Sequence, residues 1–407
     1  MGWRGRVCII IRCRGRTPAA AFSGVGTMPG AAMVNLDVAG LGFSCLDDLL
    51  LLSEIPPPEG RATILRREEH GGGMVAMAMV AAARLGGQAG MVTKVGDDAT
   101  GRRILAEFER YGVDVSRSVV ERGGRSHLTV VLVEQATGAR AFLAQRGQLG
   151  ELRPDELDRA YIAGAQTLHL SDAGPAALQA AQWAAEAGHA VCFDGTHFHS
   201  SVFKLMPFLR YLIVSRFFAS EFVAHQEGGD VGREARRFAE AQGFATIAID
   251  EPAAARPITT SATSSGELAG PAPSDHTMGT ALSDRGAAPV HHGSLEIESL
   301  VGEILLDAAE RLRRLGPPVV VVTEGAQGCW CASPEESFHT PAYPVTPVDT
   351  TGAGDVFHGA FLLAQARGWD LRHSLRLAAA AASLKCRALG GRAGIPTLDE
   401  AMRFAGL

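Results

Sequence analysis

The segment Asp349-Thr350-Thr351-Gly352-Ala353-Gly354-Asp355-Val356-Phe357-His358-Gly359-Ala360 sets small residues between two carboxylates where a loop turns into an apolar helix. Gly352, Ala353 and Gly354 would leave their backbone N–H groups bare at a helix N-terminus, where unpaired donors and the helix dipole favour an anion such as a phosphate. Asp355, in the first turn, is placed to accept a proton from a hydroxyl held beside that anion, which is general-base work in an in-line displacement. The nucleophile would be a substrate alcohol. The same residues also describe an ordinary capped helix, in which Thr350 or Thr351 caps and the glycines only make the turn.

Other segments carry groups suited to a ligand. Gly72 and Gly73 open an Ala/Met-rich helix that ends in Leu85-Gly86; such a pair lets a backbone approach a ligand closely and lets the helix pack tightly on a sheet. A buried helix after a glycine turn explains residues 76–83 equally well. Asp47 follows the first apolar run, and a carboxylate at a strand's C-terminal end lies where open α/β sheets bind ligands. Its neighbour Asp48 is either the functional carboxylate or simply solvated. Asp194 ends the apolar run Val191-Cys192-Phe193 at another strand terminus, which suits a substrate or supporting role. Arg140 and Arg146, on or just after a hairpin, could meet an anionic group on a substrate or be solvated edges.

Taken together, these motifs resemble the ribokinase, or pfkB, family of carbohydrate kinases, whose hallmark DTxGAGD is matched in full by residues 349–355. The resemblance implies that Asp355 is the catalytic base, that the Gly352, Ala353 and Gly354 amides form the anion hole, and that Asp47 with Gly72 and Gly73 grips sugar hydroxyls. Many members carry Asn where this chain has Met77. Thr323, Gly325 and Gly328 resemble the family's TxGxxG nucleotide loop, although a tight strand-to-strand turn would look similar. Residues 382–396, with Lys385 and Gly391, look like the loop that borders adenine and, in many members, a monovalent cation such as K+, with Asp349 and Thr351 as its candidate ligands. This ending is similar to those of ketose-type kinases, sulfofructose kinases among them. Arg392 there either neutralises phosphate or is a surface arginine in a turn. Asn-x-x-Glu, which organises Mg2+ in the family, is not intact here; Ser220-Glu221 is the nearest match, so Glu221 is the candidate. The implied reaction is transfer of the ATP γ-phosphoryl group to a fructose-, ketose- or ribose-like sugar. The alternatives are a nucleoside kinase of the same family or a non-catalytic binding module on the same fold.

The elements that must position these groups alternate between apolar strands and amphipathic helices, the pattern of a mostly parallel sheet covered on both faces. Helices are expected at residues 101–111, 176–187, 295–315 and 371–388, and strands at 167–170, 190–193, 211–214 and 319–323. Residues 128–134 and 140–144 read instead as a hairpin. The resemblance sharpens this to a three-layer α/β/α sandwich with a small β lid, its strands near residues 49–66 and 126–145, that closes over the sugar and excludes water. Lid strands in the family often mediate dimers, so a homodimer through the lid is expected as an option.

With 46% hydrophobic residues and a formal charge of -6 over 407 residues, the chain can bury a large core and carries no bulk basic signal for nucleic acid. Its seven cysteines show no CxxC pairing, which argues against a zinc ribbon and fits a reducing compartment. No apolar run approaches the roughly 20 residues needed to span a bilayer. Residues 1–33 contain Arg4, Arg6, Arg12, Arg14 and Arg16 and no acidic residue. Such a leader is either a transit peptide, placing the protein in an organelle, or an unstructured or untranslated start to a cytoplasmic chain. The kinase domain would then run from residue 34 to 407. Residues 251–293, rich in Ala, Pro, Ser, Thr and Gly, read as a disordered insertion.

Overall fold

The computed structural model describes residues 35–136, 140–226 and 293–407. The Arg-rich leader and the Ala/Pro/Ser-rich segment lie outside those residues, except that Gly293 opens a helix. The strands are β1 (Leu36–Leu41), β2 (Cys45–Leu52), β3 (Ile64–Gly72), β4 (Ala89–Val92), β5 (Lys94–Gly96), β6 (Val119–Glu121), β7 (Leu128–Glu134), β8 (Arg140–Gln145), β9 (Ala165–Leu170), β10 (Ala190–Gly195), β11 (Tyr211–Ser215), β12 (Val319–Thr323), β13 (Cys329–Ala332) and β14 (Ser337–Thr340). The helices are α1 (Met74–Arg84), α2 (Ala99–Arg110), α3 (Arg159–Ala163), α4 (Pro175–Glu186), α5 (Arg216–Gln226), α6 (Gly293–Arg313), α7 (Ala353–Ala366), α8 (Leu371–Lys385) and α9 (Leu398–Ala405).

Eight strands form the main sheet in the order β14-β13-β12-β11-β10-β9-β1-β4. The run from β4 through β12 is parallel, and β13 and β14 extend it as antiparallel strands. Sequence periodicity explains how both faces are covered. Successive strand residues point to opposite sides, so Cys192, Ile213 and Val321 join a core with α1, α2, α7, α8 and α9. Their neighbours Val191, Phe193, Leu212, Val214, Val320 and Val322 join the opposite core with α3, α4, α5 and α6. Three layers result, as expected from the alternation of apolar runs. Local signals set several helix starts: Asp98 caps α2 by accepting from Gly101 N (2.7 Å), and Thr397 with Glu400 forms a capping box on α9.

A second, four-stranded sheet in the order β3-β2-β7-β8 forms the lid. It has its own small core of Leu49, Val131 and Val133, with Leu389 packed against it. The hairpin of β7 and β8 falls where the sequence placed it; part of its turn, residues 137–139, lies outside the described residues. Two expectations are corrected. The helix expected to reach residue 388 stops at Lys385, because the chain turns there to bring its ammonium and the next loop onto the 349–352 segment. Asp47 does not end a strand of the main sheet; β1 stops at Leu41, and Asp47 lies near the start of lid strand β2, across from His70 and Thr129.

Candidate active site

Gly352 is the N-cap of α7 in a left-handed conformation (φ 76°, ψ 7°), which a residue with a side chain adopts only at a cost. That turn puts Asp355 in the first turn, and of the three amides expected to stay bare, that of Ala353 instead donates to Thr350 O at 3.2 Å. Two interactions hold the loop leading into it. Asp349 Oδ1 accepts from the Thr351 amide (2.9 Å) and hydroxyl (2.7 Å), while its Oδ2 accepts from Gly390 N (2.8 Å). Burial alone would raise the Asp349 carboxyl, yet these donors and the nearby Lys385 charge hold it below its ordinary value.

Lys385 was expected to face ATP, and the structure corrects that. Its side chain is fully buried, and its ammonium donates to the Asp349 main-chain oxygen at 2.8 Å. It clamps the motif loop from behind. Lys385→Met is expected to destabilise the fold by about 1.5–3 kcal/mol, the usual worth of a hydrogen bond to a charged group, read by chemical denaturation. Because the Lys385 charge also lowers the Asp355 pKa, the same variant should need a higher pH to ionise Asp355.

Asp355 keeps part of its surface exposed, while protein packs around its carboxyl. Burial first, and then the negative charge of Asp194, push its pKa well above the ordinary carboxylate value. Asp194, near the end of β10, is itself buried and raised by burial. His358, one helical turn beyond Asp355, puts Nε2 3.5 Å from Asp194 Oδ1. Neither His358 nor its neighbour His169 was singled out in the sequence. The available signal was a histidine inside an otherwise apolar helix or strand.

Asp47 and Gly72 lie against each other, and the structure shows why this glycine is required. A methyl group on Gly72 would lie 2.2 Å from Asp47 Oδ2 and 2.7 Å from Cys45 Sγ. Cys45 Sγ donates to Asp47 Oδ1 at 3.2 Å, and burial raises the Asp47 carboxyl. Asp48 is instead tied to Arg67 through both oxygens (2.8 and 2.9 Å), which leaves Asp47 as the inward carboxylate. Gly72→Ala should therefore displace Asp47 and raise KM for the acceptor by about 10–100-fold, as loss of a hydrogen bond to a charged group would, with kcat less affected. Steady-state kinetics would check this.

The C-terminal loop closes the gap between these two groups. Gly390 lies against His70 of β3, and Gly391 lies against the Met77 methyl group, which also approaches Gly352. Met77 thus fills the space between the motif loop and Gly391. Arg392 is not a surface residue, and its Nε and Nη2 find no hydrogen-bond partner among the described residues. It is buried, donates to Glu107 Oε2 at 3.1 Å, and stacks over Phe108 and Tyr111.

Thr323 lies at the C-terminal edge of the parallel strands, where such sheets bind ligands. It ends β12 beside Ser215 of β11, and Ser215 Oγ donates to Thr196 O (2.6 Å) just after β10. Gly325 and Gly328 turn β12 into β13, so this loop is also the strand-to-strand turn considered from the sequence. Glu221 is occupied: its oxygens accept from Phe198 N (2.7 Å) and lie 2.9 Å from His197 Nδ1. Arg140 opens β8 opposite Val133, and its side chain lies outside the described residues.

A doubly covered parallel sheet, a glycine-capped helix carrying a buried carboxylate, and a four-stranded lid define an α/β fold of the ribokinase kind. The chain belongs to the pfkB family of carbohydrate kinases, whose model matches residues 44–208 and 293–398. A ribokinase from Bacillus subtilis is 44% identical over 86 residues, which is 21% of this chain and only 29% of that protein. An ATP-dependent ribose-1-phosphate kinase from Halopiger xanaduensis is 25% identical over 90% of this chain and 97% of its own length. Among solved structures, Arabidopsis thaliana ribokinase complexed with ribose and ATP superposes with a TM-score of 0.64 at 18% identity, covering 91% of this chain and 99% of that one.

Proposed function

We propose that the chain transfers the γ-phosphoryl group of ATP to a hydroxyl of a fructose-, ketose- or ribose-like sugar, sulfofructose among the candidates. The observation that supports the reading is the start of α7, where a left-handed Gly352 opens the helix one turn before the raised carboxyl of Asp355. Asp355 takes the hydroxyl proton as the sugar oxygen attacks phosphorus. The Gly352, Ala353 and Gly354 amides receive the charge that moves onto the phosphoryl oxygens. Asp47 accepts hydrogen bonds from sugar hydroxyls, and Gly72-Gly73 lets the sugar approach the backbone. The lid sheet covers the acceptor and keeps water from competing for the phosphoryl group. Thr323, Gly325, Gly328 and Gly391 are proposed to border the nucleotide.

Magnesium supplies charge neutralisation when bound. Glu221, whose oxygens meet Phe198 N and His197, would act on the ion through water, with the ion carried mainly by the nucleotide phosphates. A monovalent cation would be held by Asp349 and Thr351, whose arrangement is fixed by the hydrogen bonds that the Asp349 carboxylate accepts from Thr351 and Gly390. The test is ADP production by purified protein with Mg-ATP across fructose, ribose, sulfofructose, sugar phosphates and adenosine. A sugar-dependent rate supports the reading. A rate with adenosine alone makes the chain a nucleoside kinase, and ATP binding without any turnover makes it a non-catalytic relative.

A further inference from the structure

Beneath α7, three metal-ligating side chains converge among buried residues. His169 of β9 and Cys192 of β10 are direct lateral partners in the parallel register. Each is out of phase with strand neighbours that face the opposite core, Leu168 and Leu170 for one, Val191 and Phe193 for the other, so both point toward α7. His358 reaches them from α7. One nitrogen of each imidazole and the Cys192 sulfur all lie within 4.8 Å of one another, and all three residues are buried.

Their hydrogen bonding is incomplete. Among the described residues, Nδ1 and Nε2 of His169 and Nδ1 of His358 find no partner of hydrogen-bond distance and angle, although the Cys192 backbone lies close to the His169 ring. Leaving such groups buried and unpaired is costly, and an ion is one of the few things that removes the cost. On its other side, His358 Nε2 faces Asp194 Oδ1 at 3.5 Å. A carboxylate behind a histidine is how ligating imidazoles are oriented in metal centres.

Two imidazoles and a thiol are a donor set for a borderline-soft ion, unlike the oxygen-rich surroundings that magnesium takes. We propose that His169, Cys192 and His358 bind a zinc-class divalent ion, with Asp194 orienting His358 from behind and water in the fourth position. As the metal–sulfur bond forms, the Cys192 S–H bond breaks and its proton leaves to solvent; no electrons are exchanged. The ion joins β9, β10 and α7 and is separate from any magnesium carried by a nucleotide. This site does not depend on which reaction the chain catalyses.

The experiment uses the full chain without a polyhistidine tag. Metal content is measured by mass spectrometry after a chelator wash, and metal-free protein is titrated with cobalt(II). The expected result is one zinc-class ion per chain, a thiolate-to-cobalt charge-transfer band, and a higher melting temperature with the ion than without it. Cys192→Ser should abolish that band, and Asp194→Asn should weaken binding by roughly 10–100-fold, as loss of an outer partner does. His169→Gln provides a second ligand variant in case Cys192→Ser does not fold, with circular dichroism checking both. The proposal is overturned by wild-type protein with only trace metal and no saturable cobalt signal. It is equally overturned by a band that survives in folded Cys192→Ser or by binding unchanged in folded His169→Gln, since Cys8, Cys13, His291 and His292 could then be responsible.

Discussion

Asp355→Asn is expected to lower kcat by about 10²–10⁴-fold, the usual contribution of a general base, while raising the melting temperature at neutral pH. Both effects have one cause. The folded protein binds a proton at Asp355 more tightly than the unfolded chain does, because burial and Asp194 disfavour the charged form. Such a carboxyl contributes stability below its unfolded pKa near 3.8 and loses that contribution as pH rises through the folded value. Above the unfolded pKa the buried carboxyl is therefore a burden on the fold, and asparagine removes it. The rate has the opposite dependence, since only the ionised form can take a proton. In the wild type, kcat/KM should climb with pH well above the ordinary carboxylate range. Asp194→Asn removes the neighbouring charge and should shift that climb to lower pH. A pH–rate profile beside a pH–melting profile would show the two trends; a rate that survives in Asp355→Asn would remove this residue from the mechanism.

Gly359→Val should be the most damaging single change in the core. A methyl group at Gly359 would lie 2.3 Å from the Ala78 carbonyl oxygen and 2.8 Å from Ala81 Cβ. Helices α1 and α7 therefore touch backbone to backbone, and valine forces them apart. Overpacking of this kind costs about 1–3 kcal/mol, but the functional loss should be larger. Helix α1 begins at the Gly72-Gly73 pair, whereas α7 begins at the proposed anion site. Moving one against the other by about 1 Å can cost roughly 10²-fold in rate. Kinetics and melting measured on the same preparation would separate the two effects, and a variant with normal kcat would show that the contact does not set the site.

The fold was legible where a strand is buried on both faces. Residues 319–323 are four valines and a threonine, and β12 has those bounds. The antiparallel extension β13 and β14 was not foreseen, because Cys329-Trp330-Cys331 and Ser337–Thr340 are short and weakly patterned, and their pairing is decided by the turn at Gly325–Gln327. In the site, local spacing sufficed for Asp355, which is carried by one turn of one helix. It failed for Lys385 and Arg392. Each looked like a polar residue at a helix end or turn, and each is buried by a partner far away in sequence, Asp349 for one and Glu107 for the other. It failed also for His169 and His358, which come together only when β9 and α7 are packed in space.

The lid's separate core has an evolutionary consequence. Leu49, Val131 and Val133 are packed among themselves and with Leu389, apart from the two large cores that fix α1, α7 and the parallel strands. Residues of the lid strands other than Leu46 and Leu128, which pack with the core of α1 and α7, can thus be exchanged with little effect on the proposed phosphoryl-transfer helix. Selection for a new acceptor would begin in β2, β3, β7 and β8, and grafting those strands between relatives should transfer preference while leaving the phosphoryl-transfer apparatus intact.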